Sequence, residues 1–198
     1  MQEILNKLQH HGPLEYEALG KLLEEMDFTT VDYESFLPEI TSPANYARNI
    51  LTLKPIEVVL IHWPASVSSA VHHHRGFWGY VAVLRGSCQN VEYIHKEGVI
   101  SESQTTRGTR GELMPEPDGI LHKICNPNGE ESLVTAHFYC PALENMDNML
   151  IYDLENERIG TLNDKATTAS WSEPDEHFKR IQENAFKFVP GKTKNSDV

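Results

Sequence analysis

The sequence predicts one mainly β domain, a small sandwich or barrel with N-terminal helices and a short C-terminal extension. Its 198 residues fit the size of a single domain. Hydrophobic residues make up 39% of the chain and charged residues 23%, which is enough apolar material for a core. From about Ile56 onward, short β-rich runs alternate with clusters of Gly, Pro, Asn and Ser. Many short strands separated by turns are typical of sandwiches and barrels.

The first 50 residues are predicted to form a helical cap. Apolar residues recur at helical spacing before Gly12-Pro13 and again after it. The first set comprises Ile4, Leu5 and Leu8, and the second comprises Leu14, Leu19, Leu22, Leu23 and Met26. We therefore expect two amphipathic helices that cover another part of the fold.

Residues 51–165 are predicted to form the β-barrel. Its strand candidates are IEVVLIHW, GYVAVLRG, CQNVEYIH, ILHKICN, SLVTAHFYC and NMLIYDL. The segment MLIYDLENERIGTL indicates a strand, a turn containing Asn and a returning strand. Residues 166–198 form the extension, and the charged sequence after Trp171 predicts a helix that ends in the frayed tail GKTKNSDV.

The charge of the chain excludes some partners. Seventeen Lys and Arg against 29 Asp and Glu leave a net charge of -12, so nucleic acid and anionic membranes would be repelled. We find no apolar run of the roughly 20 residues that a membrane helix needs, and no signal-peptide pattern at the start. Three cysteines without CxxC spacing fit a reducing compartment. We expect a cytoplasmic protein, a monomer or a weak homo-oligomer.

Three histidines indicate a metal site. Alternate residues of a strand project to the same face, so His72 and His74 point together while His73 points away. His122, in the apolar segment ILHKICN, is the best candidate for a third nitrogen donor. Three imidazoles on two strands suit iron(II), zinc, copper or nickel. The remaining alternative is a run of partly exposed histidines and one hydrogen-bonded core histidine.

The spacing of these histidines resembles the two cupin motifs. His72, His74 and Gly86 match the HxH pair and closing glycine of the first motif, but Gly79 stands where many cupins have a glutamate ligand. The second motif is matched at five positions: Gly111, Pro117, Gly119, His122 and Asn126. The resemblance implies a cupin-type jelly-roll barrel whose fourth metal ligand is missing.

Between about Tyr46 and Tyr139 the chain more narrowly resembles the thiol dioxygenases, and within them the cysteine dioxygenases. Arg48 matches the arginine that binds the substrate carboxylate in that family, and Tyr46 beside it also matches the family, so the resemblance implies that both residues bind the substrate. The resemblance assigns His72, His74 and His122 as iron ligands, and Thr135, His137 and Tyr139 as the family's Ser-His-Tyr relay. Thr in place of Ser keeps the hydroxyl.

Two positions depart from the family pattern. Animal cysteine dioxygenases have a cysteine at the position of Gly79, and its sulfur forms a thioether with the tyrosine that matches Tyr139. That crosslink cannot form here, as is common in bacterial members of the family. The second departure is His73, which stands where the family usually has Asp.

The resemblance implies that L-cysteine and O₂ react to give cysteine sulfinate. Iron(II) is the expected cofactor because zinc has no unpaired electrons to share with triplet dioxygen. In the similar 3-mercaptopropionate dioxygenases a glutamine replaces the arginine, and another arginine shortly follows the relay tyrosine. This chain has Arg48, and its next arginine after Tyr139 is Arg158, which favours cysteine. The alternatives are another small-thiol dioxygenase, a zinc isomerase or hydrolase, and a non-catalytic cupin that binds a metal or ligand.

Overall fold

Two amphipathic helices open the chain, as predicted. The computed structural model describes residues 1–11 and 14–191, so the predicted break at Gly12-Pro13 lies outside the described residues. Helix α1 spans Gln2–Gln9 and α2 spans Tyr16–Glu24. Their buried faces form a layer of apolar side chains: Ile4, Leu5 and Leu8 from α1, and Leu19 and Leu23 from α2. A short 3₁₀ turn at Glu34–Phe36 leads into the first strand.

The rest of the described chain is mainly β, as the sequence predicts. Most β-rich runs of the sequence coincide with strands. The strands are β1 (Ala47–Thr52), β2 (Glu57–Trp63), β3 (Val71–His73), β4 (Trp78–Arg85), β5 (Ser87–Lys96), β6 (Val99–Thr109), β7 (Leu113–Glu116), β8 (Leu121–Cys125), β9 (Leu133–Cys140), β10 (Leu150–Asp153), β11 (Arg158–Leu162), β12 (Phe178–Gln182) and β13 (Lys187–Val189). The predicted cap boundary at residue 50 therefore falls inside β1.

The strands form two sheets. One has the order β1-β2-β9-β4-β7, and the other has the order β12-β11-β10-β3-β8-β5-β6-β13. In β2, Val58 and Leu60 pack with the helices, whereas Val59, Ile61 and Trp63 belong to a separate apolar cluster with residues of β8. Both faces of β2 are therefore buried, which explains why its sequence is almost continuously apolar.

The turn predicted within MLIYDLENERIGTL is confirmed. Strand β10 pairs with β11 in antiparallel register, with Asp153 opposite Arg158. The Asp153 carboxylate accepts hydrogen bonds from the backbone and side chain of Asn156 and from Nε of Arg158. These bonds close the turn because an Asp side chain can satisfy backbone N–H groups a few residues further on.

The helix predicted after Trp171 is wrong. This segment forms a 3₁₀ turn at Asp175–His177 and the strands β12 and β13. Strand β12 pairs with β11, and β13 pairs in parallel with β6. The side chains of β12 are mostly exposed, so its charged sequence reflects an edge strand, where charged residues are common. The predicted tail beyond residue 191 lies outside the described residues.

In the part of the chain that the structure describes, neither helix is long and apolar enough to cross a membrane.

Candidate metal centre

Two neighbouring strands bring three histidines together. Strand β3 is antiparallel to β8, with His72 directly opposite His122. Residues that face each other in an antiparallel pair project to the same side of the sheet. His74 follows β3 and continues the pairing, because its backbone N–H donates to the Ile120 carbonyl at 2.9 Å. His73 lines a different cavity at the surface, as the alternation of side chains predicts.

The three rings direct their Nε2 atoms at one another. Nε2 of His74 lies 3.3 Å from Nε2 of His72 and 3.0 Å from Nε2 of His122. One ring nitrogen from each histidine lies within 4.8 Å of those of the other two. The residues are 8%, 1% and 0% exposed in the order His72, His74 and His122. The structure therefore assembles a buried group of three nitrogen donors.

The protonation of these rings fits a divalent cation. Nδ1 of His72 donates to the Ala70 carbonyl at 3.0 Å, and Nδ1 of His122 donates to Oδ1 of Asn90 at 2.8 Å. Each of these rings therefore presents a lone pair at Nε2. Burial lowers the pKa of His72 to about 4 and that of His122 well below its usual value, so both rings stay neutral. Converging neutral imidazoles suit zinc, copper, iron or nickel.

A buried carboxylate lies beside the histidines, and the sequence analysis missed it. Glu116, at the end of β7, has one oxygen 4.0 Å from Nε2 of His74 and the other 3.6 Å from Nδ1 of His122. Burial raises the pKa of Glu116 to about 8. The available signal was the alternation in LMPE, since the inward-facing Met114 and Glu116 share one face of the strand.

Position 79 lies between Glu116 and Tyr139. In β4, Gly79 is opposite Glu116 of β7 on one side and opposite Tyr139 of β9 on the other. A Cβ atom at this position would lie 2.2 Å from the Phe138 carbonyl oxygen and 2.6 Å from Cδ1 of Tyr139. There is thus no room at residue 79 for a carboxylate ligand.

The predicted relay residues lie in one hydrogen-bonded chain along β9. Thr135 Oγ1 is 2.8 Å from Nε2 of His137, and Nδ1 of His137 is 2.7 Å from the Tyr139 hydroxyl. Nε1 of Trp63 donates to Thr135 Oγ1 at 2.8 Å. Burial lowers the pKa of His137 to about 3 and raises that of Tyr139 well above its usual value. Both side chains are therefore neutral at pH 7.

Arg48 lies in the wall of the same cavity and is already paired with a buried carboxylate. Its Nη2 lies 3.4 Å from Oε1 of Glu57, and its Nη1 donates to the Thr167 carbonyl at 3.2 Å. The other oxygen of Glu57 accepts from the Leu143 backbone N–H at 2.5 Å. These contacts use two of the five N–H groups of the guanidinium, so Arg48 has further donors for a ligand.

A loop from residues 166 to 170 covers the cavity next to Arg48. The Tyr46 hydroxyl accepts from the Ala169 backbone N–H at 2.6 Å, and this bond holds the loop against β1. Oε1 of Glu173 accepts from the backbone N–H and hydroxyl groups of both Thr167 and Thr168. Tyr46 and Glu173 therefore hold the loop over the cavity, and Tyr46 also lines the cavity, so its predicted role in substrate binding stays a prediction.

The cavity is small and largely apolar apart from the groups above. Its apolar lining includes Ile61, Phe77, Ile124, Leu143, Met146 and Met149. The space open to the centres of water-sized molecules is about 30 Å³, roughly enough for two. Without movement of the wall, only a molecule of a few non-hydrogen atoms fits beside the histidines.

Comparison with known proteins concerns the fold. No protein-family model matches this chain. The Schizosaccharomyces pombe Cnp3 cupin domain matches with 14% identity over 48% of this chain and 61% of its own, with a TM-score of 0.38. An uncharacterized conserved protein with a double-stranded β-helix domain from Klebsiella pneumoniae matches with 18% identity over 57% of this chain and 84% of its own, with a TM-score of 0.44.

An oxalate oxidase is also similar. It shares 14% identity over 58% of this chain and 60% of its own, with a TM-score of 0.43. The chain spans less than two thirds of the length of this protein and of the Cnp3 domain. With TM-scores below 0.5, these likenesses are similarities only, and the mainly β fold rests on the strands and sheets described above. The likenesses carry no information on the reaction of this chain.

Proposed function

We propose that this protein is a non-haem iron dioxygenase that oxidises the thiol of L-cysteine to a sulfinate. One observation carries the proposal: three histidine nitrogen donors, the Arg48 guanidinium and the Tyr139 hydroxyl line the same cavity. Each of these residues matches a position to which the resemblance to cysteine dioxygenases assigns a role. The cavity as it stands holds about two water molecules, so the proposal requires its wall to move when cysteine binds.

The proposed reaction converts a thiol and dioxygen into a sulfinic acid. Both oxygen atoms become bonded to sulfur, the O–O bond breaks, and the electrons come from the sulfur itself, so no further reductant is needed. Iron(II) held by His72, His74 and His122 would bind the substrate thiolate and supply the unpaired electrons that triplet dioxygen needs in order to react. Side chains of the cavity would bind the substrate, orient it and donate hydrogen bonds to it.

Arg48 binds and orients the substrate in this proposal. A charge-assisted hydrogen bond to the substrate carboxylate contributes about 1.5 to 3 kcal/mol. Glu57 holds the guanidinium in place from the side of β2, so the arginine does not have to be ordered when the substrate binds. A zwitterion of the size of cysteine can then contact the histidine centre and Arg48 together.

Tyr139 donates a hydrogen bond into the cavity in this proposal. The Trp63 N–H can only donate, so Thr135 accepts from it and gives its own proton to Nε2 of His137. Nδ1–H of His137 then donates to the Tyr139 oxygen. The tyrosine O–H is then left to donate elsewhere: to the Glu116 carboxylate beside it or, in this proposal, to the substrate carboxylate or to an oxygen atom of the reaction.

We expect Arg48→Lys to raise KM for cysteine about ten- to a hundredfold, because the paired N–H donors are lost. Lysine keeps a positive charge beside Glu57, whereas alanine would leave that carboxylate buried and unpaired, at a cost of about 3 to 5 kcal/mol. Steady-state oxygen uptake measures KM. Binding of cysteamine, which lacks the carboxylate, serves as the control and should not change. An unchanged KM for cysteine would remove Arg48 from the substrate site.

We expect Tyr139→Phe to lower kcat about a hundredfold with little change in KM, as for the loss of one preorganised hydrogen-bond donor. The matched control is Tyr93→Phe, since Tyr93 is buried in β5 in a different apolar cluster. Oxygen uptake at saturating cysteine measures kcat for both variants. Full activity of Tyr139→Phe would reject the role of the hydroxyl.

The proposed function is tested by anaerobic loading with Fe²⁺, followed by oxygen-electrode assays with L-cysteine, 3-mercaptopropionate and cysteamine. We expect uptake of one O₂ per cysteine oxidised and the highest kcat/KM for cysteine. Preference for 3-mercaptopropionate would overturn the substrate assignment. Full occupancy by zinc, with no thiol-dependent uptake after iron loading, would instead favour a zinc enzyme or a non-catalytic cupin.

A further inference from the structure

Glu116 differs from the two other buried glutamates of the described chain. Glu57 pairs with Arg48 and accepts from a backbone N–H, and Glu173 accepts from two threonines and pairs with His177. Glu116 is 1% exposed, and neither of its carboxylate oxygens has a partner at full hydrogen-bond geometry in the described structure, although the Tyr139 hydroxyl lies close enough to act on its pKa. A negative charge in such a place is strongly unfavourable, so the side chain either takes up a proton, as its raised pKa indicates, or is compensated by a cation.

A metal ion bound by the three histidines would provide the compensating positive charge, because Glu116 lies beside them. One oxygen lies 4.0 Å from Nε2 of His74, the nitrogen on which the other two histidines converge. Two protein donors bound to one ion at about 2.0 to 2.2 Å each are at most about 4.4 Å apart. This oxygen and Nε2 of His74 are therefore close enough to share one ion. Only the three histidines already have their ligand atoms within 4.8 Å of one another among the described residues, so binding of the carboxylate requires a small movement of the Glu116 side chain.

The pairing of Glu116 (β7), Gly79 (β4) and Tyr139 (β9) side by side explains why the carboxylate comes from β7. Gly79 lies between them, with Glu116 on one side and Tyr139 on the other. No side chain fits at residue 79, and its absence leaves room for the flanking side chains to extend into the cavity. A carboxylate from β7 can thus fill the position that a side chain from β4 cannot.

We propose that Glu116 is the fourth protein donor to the metal ion at His72, His74 and His122. One negative charge from Glu116 partly neutralises a divalent ion that three neutral imidazoles leave fully charged. Four protein donors would leave two positions of an octahedral ion for ligands from outside the protein. The inference concerns the metal centre and does not depend on which reaction the centre performs.

Titration of the metal-free protein with Co²⁺ tests this inference, because the visible spectrum of Co²⁺ reports directly on its ligands. The variants are Glu116→Gln, Glu116→Asp and the control Glu130→Gln, which removes an exposed carboxylate of the same size. We expect Glu116→Gln to weaken Co²⁺ binding by at least about ten- to a hundredfold and to change the spectrum. Glu130→Gln should match the wild type, and Glu116→Asp should retain more affinity than Glu116→Gln.

A Glu116→Gln protein that gives the wild-type Co²⁺ spectrum would overturn the inference, whatever its affinity. Circular dichroism and thermal unfolding of the metal-free variants establish that they are folded before titration. The result is independent of the proposed function. A spectrum that depends on Glu116 in a protein without thiol oxidation contradicts only the proposed function, and thiol oxidation with an unchanged spectrum contradicts only this inference.

Discussion

Replacing His122 with alanine is expected to remove the bound metal ion and to lower thiol-dependent oxygen uptake by more than about a thousandfold. Nε2 of His122 lies 3.0 Å from Nε2 of His74, and Asn90 fixes the ring from its other side. Loss of a group that merely orients a ligand costs about ten- to a hundredfold in metal affinity, so loss of the ligand itself costs more. Metal content after dialysis and oxygen uptake measure the two effects.

The control for His122→Ala is His95→Ala. His95 is an exposed histidine of β5, so its removal tests for unspecific metal binding to imidazoles. We expect this variant to retain metal and activity. If His122→Ala kept one ion per chain with wild-type affinity, the three histidines would not form the metal site.

Replacing Gly79 with alanine is expected to destabilise the metal-free protein by about 3 kcal/mol, at the upper end of the usual cost of overpacking. The new methyl group would lie 2.2 Å from the Phe138 carbonyl oxygen. Backbone of the central strand β9 cannot move as easily as a flexible side chain. The free energy of unfolding from urea denaturation measures the effect.

Gly129→Ala is the matched control for this prediction. Its Cβ would lie 3.7 Å from Oγ of Ser66, an ordinary van der Waals distance, so we expect a change of less than about 1 kcal/mol. Equal unfolding free energies for Gly79→Ala and Gly129→Ala would show that residue 79 has room for a side chain. The argument that β4 cannot supply a carboxylate ligand would then fail.

The strands that the sequence predicts are those with a strong apolar pattern. Strand β2 and strand β9 are buried along nearly their whole length, so their hydrophobic runs stand out. Strand β6 is mostly exposed, and its polar sequence VISESQTTRGT carries no such pattern. Strands β12 and β13 are short and stabilised by backbone pairing to β11 and β6. A signal that depends on buried side chains cannot reveal strands of this kind.

The site was predictable where one short motif positions several residues, and not where distant strands meet. His72 and His74 share a strand face, and Thr135, His137 and Tyr139 share another, so alternation alone places each set together. Glu116 and Asn90 reach the histidines only through the pairing of β7 with β4 and of β5 with β8. That pairing depends on the tertiary fold, which the spacing of residues along the chain does not reveal.

The ion pair between Arg48 and Glu57 could not be predicted from the sequence either. Glu57 lies nine residues further along the chain, and the two meet because β1 and β2 form an antiparallel pair. The partner of Arg48 is fully buried, so the pair is not an ordinary surface ion pair. The proposal that Arg48 binds a substrate carboxylate therefore requires the guanidinium to serve Glu57 and the ligand at once.

The most direct test of the central claim is to oxidise L-cysteine with the iron-loaded protein under ¹⁸O₂ and to determine the label in the product by mass spectrometry. If the histidine centre, Arg48 and Tyr139 act as proposed, the product is cysteine sulfinate and both of its new oxygen atoms carry the label. Cystine as the product, or sulfinate whose oxygen comes from water, would contradict the account.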